Sequence, residues 1–329
     1  MTDPDPDSET AVEPTPTVHS IAADTDHGAA TLSLLALEVL STRAQVLLEE
    51  REAADSNSNS STSTSSSSDS DSNLPPSEQA AEWDELTSLA RRLLSARPSM
   101  AVLRNRVNRA MASVDADRRH AGGLLAAVTD EIDRAREADK TAAANAASHA
   151  TGTVLTLSRS ATVLEALQAG EPDRVFVAES RPAHEGIAVA EALADDLPVT
   201  VHTDAAVAHL LSQEPIDCLL VGADTILADG RLVNKTGTRG AALAAAYEGI
   251  PVCAVAATDK ITDRGLNLEF GSQSAVYDGD APVDIINPTF DVTPADALEG
   301  IITERGALLP AEIAPIAREL AERESWLEG

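Results

Sequence analysis

The spacing of apolar and polar positions divides the chain near residue 150. Upstream, apolar residues recur at helical intervals. Leu32, Leu34, Leu35, Leu37, Val39 and Leu40 fall in a stretch from Ala29 to Arg51, and Trp83, Leu86, Leu89, Leu93 and Leu94 in one from Glu78 to Ala96. A third helix is expected over Ala101–Ala112, opened by Pro98 or Ser99. A fourth, long and Ala-rich, is expected over Gly122–His149. Downstream the pattern becomes short continuous apolar runs: Thr153–Leu157, Arg174–Ala178, Pro198–His202, Asp217–Val221 and Pro251–Val255. Helical stretches fall between them, over Ala161–Gln168, Glu185–Asp195, Asp204–Ser212 and Arg239–Tyr247. Strands without alternation, interleaved with helices, need cover on both faces, so they predict an α/β fold with a parallel sheet.

Two segments have almost nothing to bury. Residues 1–17 are rich in Pro, Glu, Asp and Thr and read as a disordered acidic tail. Residues 55–77 are dominated by Ser and Asn and read as a flexible insertion between two helices, whose closure entropy grows only slowly with length; a phosphorylated regulatory tract is the other reading. The expected organisation is therefore a tail at 1–17, a helical N-terminal domain at 18–149 carrying the insertion, and an α/β domain at 150–329.

Composition changes the picture in two ways. The 329 residues include 54 Asp plus Glu against 24 Lys plus Arg, a formal net charge of -30, spread along the whole chain. Such self-repulsion is screened by salt and reads as a halophilic signature; it also argues against direct nucleic-acid binding. Cys218 and Cys253 each sit inside an apolar run without a ligand-spaced partner and read as core residues. The N-terminus lacks the charged and apolar regions of a secretory signal, and no continuous apolar run reaches membrane-spanning length, so a cytoplasmic protein without a membrane partner is expected.

Open parallel sheets bind ligands beyond the C-terminal ends of their strands. Those ends carry Ser158-Arg159-Ser160, Glu179-Ser-Arg-Pro182, Thr203-Asp204, Gly222-Ala-Asp224 and Ala257-Thr-Asp-Lys260. Lysine occurs only at Lys140, Lys235 and Lys260, so Lys235 and Lys260, with Arg159 and Arg181, would gather scarce positive charge near Asp224. Ser158 and Ser160 precede one helix N-terminus and Gly237-Thr238 another, where backbone N–H groups favour phosphate; the competing reading makes Ser160 and Thr238 ordinary helix caps. No dinucleotide glycine fingerprint, nucleophile elbow, Walker loop or zinc helix is present, and no cofactor or metal is expected.

Thr153-Val-Leu-Thr-Leu-Ser-Arg-Ser160, Val177-Ala-Glu-Ser-Arg-Pro182 with Glu185-Gly186, Gly222-Ala-Asp-Thr-Ile226 and Asn234-Lys-Thr-Gly-Thr238 resemble the translation initiation factor 2B alpha/beta/delta subunit family, which includes ribose-1,5-bisphosphate and methylthioribose-1-phosphate isomerases. Arg97-Pro-Ser-Met-Ala-Val-Leu103 and Asn287-Pro-Thr-Phe-Asp-Val-Thr-Pro294 extend the likeness over about residues 20 to 325. The resemblance implies a helical N-terminal domain on a Rossmann-like domain that dimerises. In the isomerase branch it implies a catalytic cysteine after the first strand and an aspartate, matched here by Asp224. Arg181, Asn234 and Lys235 match positions that hold substrate phosphate and hydroxyls.

Two departures stand out. Ser158 takes the cysteine position, and His27-Gly28-Ala29 stands where isomerases carry Arg-Gly-Ala. A thiol ionises near pH about 8.5 and is readily tuned, whereas an alcohol is a far weaker acid and needs an added base to move protons. The expectation is accordingly a noncatalytic regulatory homologue that binds a phosphorylated sugar or nucleotide through Arg181, Asn234, Lys235, Ser160, Gly28 and Arg159, as a homodimer or higher oligomer with a translation factor as a further candidate partner. The alternative is an aldose-1-phosphate isomerase, such as one acting on ribose 1,5-bisphosphate, with Asp224 as acid/base.

Overall fold

The computed structural model describes residues 15–24, 27–58, 75–265 and 268–328. The expected disordered tail falls outside these up to residue 14, and the Ser-rich insertion falls outside them over 59–74. Five helices build the N-terminal layer: α1 (Val18–Ala23), α2 (Ala29–Ser58), α3 (Pro76–Ala96), α4 (Ala101–Ala112) and α5 (Ala121–Ala146). Their leucine stripes meet in one core, with Leu37, Leu40, Leu86, Leu93, Leu103, Val107, Leu124 and Val128 excluded from solvent. Over Ala29–Ala54, α2 is long and apolar enough to cross a membrane, because Ala, Ser and Thr between its leucines add no charge. Its Ala36, Leu37, Leu40 and Ala44 are instead fully covered by neighbouring helices, as in the core helix of a bundle.

The C-terminal half contains a seven-stranded sheet in the order β11-β10-β7-β4-β1-β2-β3. Its strands are β1 (Thr153–Leu157), β2 (Arg174–Ala178), β3 (Val199–His202), β4 (Cys218–Gly222), β7 (Val252–Val255), β10 (Gly300–Thr303) and β11 (Gly306–Leu308). All neighbours are parallel except β10 and β11. Strand order reverses direction between β1 and β4, which is the Rossmann arrangement and opens a crevice at their C-terminal ends. On one face pack α6 (Ala161–Gly170), α7 (Glu185–Leu193) and the end of α5; on the other pack α8 (Val207–Gln213), α9 (Thr238–Glu248) and α10 (Ile313–Glu322). Cys218 and Cys253 are buried and free in β4 and β7.

A second sheet was not legible from the apolar runs. β5 (Thr225–Leu227), β6 (Leu232–Lys235), β8 (Ile261–Thr262) and β9 (Phe290–Thr293) pair in the order β8-β5-β6-β9. The β5–β6 hairpin places Asp224 and Lys235, at its two open ends, on the same side of the fold: the Asp224 amide donates to the Val233 carbonyl at 3.0 Å.

The helical layer and the sheet are joined by buried charges. Asp259, in the turn Thr258–Lys260 that follows β7, has no solvent exposure, and its carboxylate accepts from Arg106 at 3.1 Å, Arg109 at 3.0 Å and Arg134 at 2.6 Å. Arg106 also pairs with Asp139 at 2.8 Å, and Arg134 with Glu131 at 2.6 Å. The three guanidiniums hold the Asp259 carboxyl well below the usual carboxylate range despite its burial.

Candidate active site

Two close approaches shape the crevice between β1 and β4. A Cβ on Gly222, the last residue of β4, would lie 2.8 Å from the Ser160 side chain, so only glycine lets the start of α6 sit across the strand end. A Cβ on Gly186 would lie 1.9 Å from the Ala178 carbonyl, so α7 begins directly against the end of β2. That contact brings Glu185, the first residue of α7, over the end of β1.

There Ser158 and Ser180 both adopt left-handed backbone, φ 60 and φ 61. For residues with a Cβ this costs roughly 1–2 kcal/mol each, and such strain persists where surrounding contacts over-determine it. The Ser158 amide donates to Ser180 Oγ at 2.7 Å, and the Ser180 and Arg181 amides donate to the Asp204 carboxylate at 2.9 and 2.7 Å. So held, the Ser158 hydroxyl donates to Glu185 Oε2 at 3.0 Å, and Glu185 Oε1 pairs with Lys235 Nζ at 3.0 Å.

Asp224 lies beside this group. Burial pushes its carboxyl above the usual range, against the pull of the Lys260 and Lys235 ammoniums, while the Glu185 and Glu269 carboxylates push in the same direction as burial. Lys260 is itself buried; its ammonium donates to the Ala223 carbonyl, and desolvation lowers its pKa while Asp224 and Asp139 oppose the fall. Asp224 also lines a cleft between the two halves of the molecule, whose walls include Ala29, Ser99, Arg104, Arg264 and Glu269. Ser99 reaches across it to donate to Glu269.

The structure thus brings Ser158, Lys235, Lys260 and Asp224 together and spreads the remaining candidates around them. Gly28 is at the cleft edge beside Ala29, with open space where a Cβ would be. His27 pairs with Asp24 at 2.8 Å. Arg181 sits on the exposed β2–α7 loop, its guanidinium 2.8 Å from His184 Nε2, and Arg159 is exposed beside Ser158. Ser160 caps α6, accepting from the Val163 amide at 3.4 Å. Asn234 is buried and donates to Thr238 Oγ1 at 3.0 Å. The α9 N-terminus, expected to favour phosphate, is taken by Asp291, whose carboxylate accepts from the Gly237 and Arg239 amides at 2.8 and 3.1 Å. Among the described residues no cluster of three His, Cys, Asp or Glu side chains is set to hold a metal. Glu185, Arg104 and Arg264 were given no role from the sequence; Glu185 had two signals, its place three residues after the strand-end Arg181-Pro182 and the Glu185-Gly186 pair within the family resemblance.

The profile of the initiation factor 2 subunit family matches residues 28–310. The chain belongs to this family. Among curated members, "Ribose 1,5-bisphosphate isomerase" of Haloterrigena turkmenica is 32% identical over 263 residues, 72% of this chain and 80% of that protein. "Methylthioribose-1-phosphate isomerase" of Heliobacterium modesticaldum is 37% identical over 171 residues, 47% of this chain and 48% of its own length. The match therefore spans about half the length of some of these relatives. A Pyrococcus horikoshii translation initiation factor eIF-2B structure is 25% identical with a TM-score of 0.69, covering 90% of this chain and 96% of that one. Solved family members include a tetrameric complex.

These relatives correct the expectation of a noncatalytic regulator. The family members matching at 32% and 37% identity are named as isomerases, so the alternative drawn from the sequence fits better than the regulatory reading. The expectation rested on the two departures at Ser158 and His27, and the named activities of these relatives outweigh them.

Proposed function

We propose that this chain is an aldose-1-phosphate isomerase, converting a phosphorylated aldose to its ketose with Asp224 as acid/base. The observation that carries the reading is Asp224 itself, a carboxyl raised by burial, between two of the chain's three lysines at the reversal point of the sheet. A general acid or base works best with a pKa close to the working pH, and a buried carboxyl lies nearer to it than an exposed one. Ribose 1,5-bisphosphate is the first substrate to try, since a relative matched over 72% of this chain is named for it.

Isomerisation opens the sugar ring, so the ring oxygen gains a proton, C2 and its hydroxyl each lose one, and C1 gains one. Two proton carriers in opposite states suffice. Asp224 in its acid form suits the ring oxygen. Arg104 and Arg264 in the cleft wall, which share the Glu324 carboxylate, and Lys235 would supply the positive charge that a phosphate ester needs when water is excluded. Arg181, Arg159, Asn234, Ser160 and Gly28 stay in the proposal as further ligand contacts.

A homodimer is part of the reading: Tyr247, Phe270 and Ile286 are 88%, 67% and 82% exposed, large side chains that association would cover. The acidic excess supports action in the cytoplasm of a salt-adapted cell. Incubation with ribose 1,5-bisphosphate or 5-methylthioribose 1-phosphate at high salt, followed by phosphorus NMR, tests the proposal; appearance of the ketose phosphate supports it, and unchanged substrate at enzyme-saturating concentration refutes it.

A further inference from the structure

We propose that Glu185 is the proton acceptor for the Ser158 hydroxyl, and that Ser158, Glu185 and Lys235 form a relay supplying the second proton carrier of the reaction. The inference rests on the isomerase reading and names the group that reading lacks. Ser158 alone is too weak an acid to move protons, and the structure sets a carboxylate oxygen 3.0 Å from its Oγ. The other oxygen of that carboxylate is anchored by Lys235 at 3.0 Å, so Oε2 stays aimed at Ser158. This geometry is built by three independent features. Left-handed backbone at Ser158 turns its side chain, the tight Gly186 contact sets the start of α7, and β6 ends at Lys235 beside both. A base oriented by a third, charged group is the arrangement by which hydroxyls are activated elsewhere in enzymes.

The steps balance. Asp224 donates its proton to the ring oxygen as the C1–O bond breaks, its electron pair staying on oxygen. Ser158 Oγ takes the proton from C2 while its own proton passes to Glu185, and the C2–H electron pair becomes the C1=C2 bond of an enol phosphate. In the second half the Asp224 carboxylate takes the proton from the C2 hydroxyl. The C1=C2 pair takes a proton at C1 from Ser158, which is replenished by Glu185. Both carboxyls return to their starting states, and no oxidant, metal or cofactor enters.

The test pairs an activity measurement with one that needs no turnover. Glu185→Gln should lower kcat at least about 100-fold with KM changed less than about threefold, and should remove the acidic limb of the kcat–pH profile, while Glu185→Asp restores part of both. A purely structural ion pair would shift KM and stability and leave the profile's shape unchanged, and that result would overturn the relay. Independently, Ser158→Cys puts an alkylatable thiol beside Glu185, the native Cys218 and Cys253 being buried. Adding Glu185→Gln should lower the pH at which that thiol reacts by about one unit or more, because a neighbouring negative charge disfavours the thiolate. An unchanged alkylation profile would refute the Glu185–Ser158 pairing whatever the wild-type activity. No ketose product with the thiol shift intact would overturn the isomerase reading and leave the acceptor pair supported.

Discussion

Replacing Asp259 by asparagine keeps the shape of a fully buried side chain and removes its charge. In the native seam three guanidiniums, Arg106, Arg109 and Arg134, face three carboxylates, Asp259, Glu131 and Asp139. The substitution leaves one buried positive charge without a counterpart, and an amide offers a single acceptor oxygen where three donors pointed. Removing one partner of a buried ion pair costs about 3–5 kcal/mol. Arg134, whose side chain is 34% exposed, can relax toward water, so the cost falls mainly on Arg106 and Arg109, 0% and 10% exposed. For a chain of this size each kcal/mol lowers Tm by roughly 2–4 °C, so Asp259→Asn should lower it by about 6–20 °C. Thermal melts followed by circular dichroism, in several-molar salt and with wild type alongside, give the number. A shift under about 2 °C would mean that the cluster contributes nothing net, and the account of how the two halves are joined would be wrong.

The same carboxyl sets a pH dependence. Its folded pKa lies below the unfolded value of about 3.9, so its contribution is complete above that value and is lost as pH falls toward the folded one. Denaturant titrations from pH 5 downward should show stability falling more steeply for wild type than for Asp259→Asn. Asp224→Asn should lower isomerase kcat by about 100- to 10,000-fold while the fold, followed by circular dichroism, is retained. Lys260→Met removes a buried cation beside Asp224, so the group titrating in kcat/KM should move to higher pH; a move to lower pH would contradict the electrostatic reading. Gly222→Ala forces a Cβ to within 2.8 Å of Ser160 and should cost about 1–3 kcal/mol in chemical denaturation, through displacement of α6.

Much of the architecture was written in periodicity. Five continuous apolar runs became five strands of the large sheet, and leucine stripes at helical spacing became the buried faces of α2 and α3, because each element has to bury its apolar positions whatever its neighbours do. The second sheet was hidden, since β5, β6 and β8 span only two to four residues and their pairing is set by the hairpin and by long-range contacts with β9. Asp224 was legible because a charge so soon after a buried strand has few structural reasons to be there, and Lys235 because the chain has only three lysines. Glu185 was not, because its meaning depends on the close approach at Gly186 and the turn at Ser158, and neither distance can be read from spacing. The Asp259 cluster was equally silent: Arg106, Arg109 and Arg134 look like the polar face of two helices until α4 and α5 are docked on the end of β7.

The central claim is that the Ser158-bearing site does chemistry. It is tested most directly by mixing the full chain with ribose 1,5-bisphosphate at high salt and following the phosphorus spectrum. The expected result is conversion to the ketose bisphosphate, slowed at least about 100-fold by Asp224→Asn and by Glu185→Gln. Thermal stabilisation by the sugar phosphate with no product from the wild type would contradict it.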